Sequence, residues 1–170
     1  MIAIIFEAHG TSFDNENKKA SGWGKVSLSP KGKKDAEALG SRYAGKNIEV
    51  VFCSDLAGAV QTVEIAFASG KTPIVKDWRL RECNYGNFTG RASEAVEKEK
   101  GSRITTPFPN GESYEQTTAR VKSFLEDLLK TCQGKTILII GHRATQYRLE
   151  NLIKRVPLKK AVTDPWQWQP

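Results

Sequence analysis

The sequence predicts an α/β fold of three layers: a mostly parallel central sheet with helices on both faces. Two observations carry this. Short apolar runs that read as buried strands alternate with longer segments whose apolar residues recur at helical spacing, the pattern of strands joined by crossover helices. The chain also has only two histidines, His9 and His142, and each follows one of the strand runs. Groups just past the carboxyl ends of parallel strands line the crevice where such sheets bind ligands.

Taken in order, residues 2–6 form the first strand. Ser29-Pro30 then supplies an N-cap and a first helical residue for a helix with Ala36, Leu39 and Tyr43 on one face. Residues 48–53 are the next strand, 56–68 a helix and 72–75 a short strand. Residues 112–132 are a long helix with Tyr114, Val121, Leu125 and Leu128 at core spacing, 136–140 the last strand and 145–156 a closing helix. The pattern breaks at about 78–111, a polar stretch rich in Gly, Arg and Glu with one helix at 93–100. Such an excursion is expected to act as a lid or insertion over a site. One domain is expected to span 1–170, and the terminal Pro165-Trp166-Gln167-Trp168 to pack simply against it.

Composition narrows the function classes. No apolar run approaches the ~20 residues that span a bilayer, and Met1 leads straight into a strand without a basic leader. Cys53, Cys83 and Cys132 are odd in number and widely spaced, which suits a reducing compartment. A cytoplasmic protein without membrane attachment, monomeric or homodimeric, is expected. The net charge of +7 is scattered over helical segments. No paired Cys/His spacing and no aromatic RNA-binding strand accompanies it, so a phosphorylated small molecule is the expected partner rather than nucleic acid.

Several chemistries are excluded by spacing. A cysteine phosphatase loop needs Arg six residues after its nucleophile, and Ala59, Thr89 and Leu138 occupy those positions here. There is no Walker A pattern. Gly22-Trp23-Gly24 neither follows a strand nor has the third glycine of a dinucleotide site. The histidines lack a carboxylate or Cys at ligand spacing, so neither a metal nor another cofactor is expected.

Histidine as nucleophile remains. Imidazole accepts a phosphoryl group at one nitrogen when a backbone carbonyl holds the other as N–H, fixing the tautomer. The stretch His9-Gly10-Thr11-Ser12-Phe13-Asp14-Asn15 suits this: Gly10 permits a tight turn, and Ser12 and Asn15 are candidate donors to phosphoryl oxygens.

These residues resemble the histidine phosphatase superfamily, the phosphoglycerate-mutase-like fold. Its first signature, Arg-His-Gly-x-Ser/Thr-x-x-Asn, reads Ala8-His9-Gly10-Thr11-Ser12-Phe13-Asp14-Asn15 here. A second, Ser-Asp-Leu-x-Arg-Ala-x-x-Thr, reads Ser54-Asp55-Leu56-Ala57-Gly58-Ala59-Val60-Gln61-Thr62. The third runs from Leu80-Arg81-Glu82 to Tyr85-Gly86 and Gly90, and the fourth is the Gly141-His142 turn. The resemblance implies that His9 is phosphorylated, that Glu82 donates the leaving-group proton and that His142 binds phosphate.

It also exposes two departures. Ala8 and Gly58 stand where the family has phosphate-binding arginines. Losing one preorganised donor of that kind costs ~10²–10³ in turnover. Arg143, directly after His142, is a substitute by position, and Arg81 a second, unless it pairs with Glu82. Glu7 is expected on the far side of the first strand, and Asp55 to cap or orient the turn after the second. Trp23, Tyr85, Arg91, Phe108 and Tyr114 are pocket candidates, with core packing the expected role of the aromatics. The expected activity is metal-free hydrolysis of a small phosphate monoester, in preference to a mutase, whose pocket must be strongly cationic. The alternative is a degenerate member that binds an anion without turnover.

Overall fold

The computed structural model describes residues 1–68 and 70–165. Four strands form one parallel sheet in the order β1-β4-β2-β3: β1 (Ala3–Ala8), β2 (Val50–Cys53), β3 (Ile74–Lys76) and β4 (Thr136–Gly141). The helices are α1 (Phe13–Glu16), α2 (Pro30–Tyr43), α3 (Ala57–Ala66), α4 (Ser93–Glu99), α5 (Tyr114–Thr131), α6 (Arg143–Leu152) and α7 (Leu158–Thr163).

Strand alternation sorts the core into two layers. Ile5, Val51, Cys53, Leu138 and Ile140 face Leu39 and Tyr43 of α2 and Ala59 and Val63 of α3. Ile4, Phe6, Val50, Ile137 and Ile139 face Phe124 and Leu128 of α5 and Leu149 of α6. The chain thus leaves β1 toward one face and β4 toward the other, and a crevice opens between their carboxyl ends.

Residues 78–111 hold two 3-10 turns (Trp78–Leu80 and Gly86–Phe88) and α4. Tyr85, Val96 and Phe108 from this stretch pack with Tyr114, Ala144 and Tyr147 in a third cluster.

Several boundaries differ from the sequence expectation. The first strand runs on through Glu7 and Ala8, because its ladder to β4 continues to the Ala8–Gly141 pair. The closing helix begins two residues earlier, at Arg143, and stops at Leu152 instead of reaching 156. Arg155 takes a left-handed backbone (φ 57°), and Asn151 Nδ2 donates to the Val156 carbonyl at 2.8 Å, which turns the chain into α7. The expected packing of Trp166 and Trp168 lies outside the described residues. Among the described residues no helix is long and apolar enough to cross a membrane.

Candidate active site

The register of β1 on β4 brings the histidines together. Ala8 lies opposite Gly141, and the His9 N–H donates to the Gly141 carbonyl at 3.1 Å. His9 and His142 are each one step beyond this pair, and their rings meet edge to face with centroids 4.8 Å apart. Beyond His9 the chain passes close under the start of α2, where a Cβ on Gly10 would collide with the Gly32 carbonyl. Thr62 Oγ1 on α3 accepts the Gly10 N–H at 3.0 Å and donates to the Gly58 carbonyl at 2.7 Å.

His9 Nδ1 lies 2.7 Å from the Gly10 carbonyl oxygen. A carbonyl only accepts, so Nδ1 carries the hydrogen and the lone pair is assigned to Nε2. The hydroxyl of Thr145 accepts the His142 N–H at 3.1 Å and donates to the Leu80 carbonyl at 2.9 Å, anchoring the second histidine. His142 Nε2 is buried without a protein partner among the described residues. Burial pulls both imidazoles below their ordinary pKa of 6.5; for His9 the Gly10 hydrogen bond opposes it, and for His142 the nearby His9 and Arg120 add to it.

Glu82 is buried at the same crevice. Its Oε1 accepts from Cys83 N–H at 2.7 Å and Ala144 N–H at 3.3 Å, leaving Oε2 to carry a proton. Burial raises the carboxyl above its ordinary 4.5, against those two hydrogen bonds and the charges of Arg143 and Arg120. A buried carboxyl whose pKa is raised, in one crevice with an imidazole whose lone pair is free, has the form of a general acid.

The crevice has two compartments that share His9, Asn15, Lys19, Glu82, Ser93, His142 and Arg143. One, of about 120 Å³, extends toward Leu56, Gly58 and Gly22. The other, of about 320 Å³, extends toward Ala8, Thr11 and Lys18. Since one ordered water needs ~10–15 Å³ by the same measure, a phosphoryl group with a small leaving group has room here.

The remaining candidates fall into distinct places. Ser12 and Asn15 form a capping box on α1: Ser12 Oγ donates to Asn15 Oδ1 at 2.9 Å and accepts the Asn15 N–H at 3.2 Å. In this arrangement the Ser12 proton is engaged, contrary to its expected donation to phosphate, and the Asn15 amide NH₂ is the donor at the crevice. Arg143 lines the crevice, with Nη1 2.7 Å from Glu97 Oε1 and Nε donating to Tyr147 Oη at 3.1 Å. Arg81 pairs with Asp55 instead of Glu82, through two hydrogen bonds of 2.6 Å, and holds the Asp55 carboxyl below its usual range. Asp55 therefore does not cap the turn; the Ser54 hydroxyl accepts the Leu56 N–H there, at 3.1 Å. Glu7 points away from the crevice to the Tyr43 hydroxyl at 2.7 Å. Tyr85 lines the crevice, while Phe108 and Tyr114 are core. Gly58 sits against His9: a Cβ there would lie 3.1 Å from His9 Nδ1, so any side chain requires the ring to yield.

Sequence reasoning missed the support beneath Glu82. Arg120 of α5, 7% exposed, donates to the carbonyls of Arg79 (2.6 Å), Arg81 (2.8 Å) and Glu82 (2.8 Å). Its Nε and Nη2 also meet the Glu112 carboxylate at 3.0 Å each, and Glu112 Oε2 accepts the Asn84 N–H at 2.9 Å. Trp23 Nε1 adds a bond to the Glu82 carbonyl at 2.7 Å. The available signal was an arginine beside the apolar stripe of a long helix.

The chain is 30% identical to a 2,3-bisphosphoglycerate-dependent phosphoglycerate mutase of Zymomonas mobilis, over 84% of this chain and 78% of that protein. Its fold superposes on Bacillus stearothermophilus YhfR with a TM-score of 0.88 at 23% identity, covering 99% of this chain and 87% of that one. A mycobacterial glucosyl-3-phosphoglycerate phosphatase gives 0.81 at 19% identity, covering 93% and 84%. Residues 4–163 match the profile of the histidine phosphatase superfamily (branch 1), and the chain belongs to that family.

Proposed function

We propose that this chain is a metal-free phosphomonoester hydrolase working through a phosphohistidine at His9. The carrying observation is the pinned tautomer: the Gly10 carbonyl at His9 Nδ1, with the free ring nitrogen in a crevice shared with His142 and Glu82. In the first step the Nε2 lone pair forms a bond to phosphorus while the bond to the leaving oxygen breaks. Glu82 gives that oxygen its proton, and His142 Nε2 and the Asn15 amide hold phosphoryl oxygens. Water then attacks phosphorus, Glu82 takes back a proton, and the P–N electrons return to His9. Hydrolysis is preferred to mutase chemistry because neither Ala8 nor Gly58 supplies the cation that would retain a phosphoryl group between half-reactions. The three free, buried thiols suit a cytoplasmic setting.

The test is phosphate release from p-nitrophenyl phosphate and from 3-phosphoglycerate, with acid-labile label trapped on the protein after quenching at high pH. Turnover and labelling are expected in the unaltered chain and absent in His9→Ala. Turnover that survives in His9→Ala refutes the mechanism. Phosphate binding without turnover would instead support the second reading, an anion-binding member, which Ala8 and Gly58 favour.

A further inference from the structure

The departure at position 8 has a counterpart elsewhere in the crevice. Ala8 borders the larger compartment, and Lys18 and Lys19 border it too, together with His9, Asn15 and His142. We propose that Lys18 and Lys19 supply the positive charge that Ala8 does not, binding the outer oxygens of a phosphoryl group held between His9 and His142. This deepens the phosphoryl-transfer reading of the crevice and rests on it.

Backbone geometry holds the two lysines at this rim. Lys18 takes a left-handed conformation (φ 53°), which non-glycine residues adopt only where the surroundings enforce it. Here the enforcing contacts are visible on both sides of the turn. The Lys18 N–H donates to the Asn15 carbonyl at 3.2 Å and the Lys19 N–H to the Asp14 carbonyl at 2.8 Å, tying the turn to α1. The Lys18 carbonyl accepts the Ser93 N–H at 2.8 Å, tying it to the start of α4. The turn is thus clamped between two walls of the crevice, and Lys19 borders both compartments.

The charges around the crevice give these lysines a task. Neither Lys18 nor Lys19 forms an ion pair among the described residues, whereas the charge of Arg143 is shared with Glu97. His142 presents a buried, unpartnered Nε2 to the same space. A phosphate dianion placed there would otherwise meet mainly neutral donors. A lysine is a compact charge on a flexible stem and reaches such a group without backbone movement.

The experiment is calorimetric titration of inorganic phosphate into the whole chain at low ionic strength and pH 7.5. Lys18→Ala/Lys19→Ala is compared with Lys33→Ala/Lys34→Ala, which removes the same charge from the exposed face of α2. Removing charge-assisted hydrogen bonds to the phosphoryl oxygens is expected to weaken binding about tenfold to a hundredfold in the first variant. Less than a twofold loss is expected in the second. Adding Ala8→Arg to the first variant is expected to restore most of the affinity. Equal losses in the two lysine variants, no loss in the first, no rescue by a folded Ala8→Arg combination, or no phosphate binding by the unaltered chain each overturns the proposal. The chemical reading fails separately: ester hydrolysis that persists in His9→Ala refutes the phosphohistidine but leaves the binding result intact, since phosphate binding needs no nucleophile.

Discussion

Replacing Arg120 by Met tests whether Glu82, the proposed general acid, is held by the pair beneath it. The guanidinium makes five hydrogen bonds of 2.6–3.0 Å, to the carbonyls of Arg79, Arg81 and Glu82 and to both oxygens of Glu112. Methionine fills much of the volume but leaves the Glu112 carboxylate unpaired and the carbonyls short of a donor. Removing one partner of a buried pair costs about 3–5 kcal/mol, a large share of the ~5–15 kcal/mol that stabilises a typical domain. The double variant Glu112→Gln/Arg120→Met removes the orphaned charge and is expected to lose about 1–3 kcal/mol less than the sum of the singles. Urea denaturation at pH 7.5 reads that coupling. The positioning role has its own signature, because an acid matters most for a poor leaving group. If Arg120 fixes Glu82, the double variant loses ~10² or more in kcat on an alkyl phosphate and far less on p-nitrophenyl phosphate, the same dependence expected of Glu82→Gln. Equal losses on both esters, or an additive cycle, refute the reasoning.

Two further outcomes follow from buried charge. His9 and His142 are held below 6.5 in the folded chain, so below that pH the unfolded chain binds more protons, and stability is full above 6.5 and falls as pH drops through the window. The slope reaches about 1.4 kcal/mol per pH unit for each histidine; Glu82, shifted upward, contributes with the opposite sign above its ordinary 4.5. Denaturation midpoints at pH 5.5 and 7.5 should therefore differ less in His142→Asn than in the parent, and an unchanged difference contradicts the assignment. Arg148 is fully buried over the Tyr114 ring at 5.1 Å, its guanidinium nitrogens lack hydrogen-bond partners among the described residues, and burial pulls its pKa down to about 10. Arg148→Met is expected to stabilise the chain by about 1–3 kcal/mol, read as a raised Tm; a lowered Tm shows that the charge is compensated.

The sheet was legible because its central strands β2 and β4 are mostly buried and read as continuous apolar runs, and the start of α2 because Ser29-Pro30 supplies the cap chemistry. The two histidines were legible for the same reason: residues that end adjacent parallel strands are neighbours. What escaped depends on partners distant in sequence or on segments too short for periodicity. α1 spans only four residues and rests on the Ser12–Asn15 capping box. The Asp55–Arg81 pair joins residues 26 apart, and the sequence places Arg81 next to Glu82 in the chain without showing which carboxylate the fold brings to it. Arg120 reaches a carbonyl 38 residues away, which no local pattern announces.

The position of His9 is set largely by backbone: the β1–β4 register, the Gly10 carbonyl on Nδ1, and the Thr62 hydroxyl that joins Gly10 to α3. None of these contacts involves the side chains at positions 8 and 58. Ala8 therefore leaves the imidazole aimed, whereas at position 58 the lack of a Cβ, which would lie 3.1 Å from His9 Nδ1, also gives the ring its place; both departures remove a cation that would stabilise a phosphoryl group. At position 8 geometry and charge are separable, so under the proposed mechanism the rate responds to the cations at the crevice rim without a rearrangement of His9, His142 or Glu82. A change confined to Lys18 and Lys19 should accordingly alter phosphate affinity without disturbing the histidine pair.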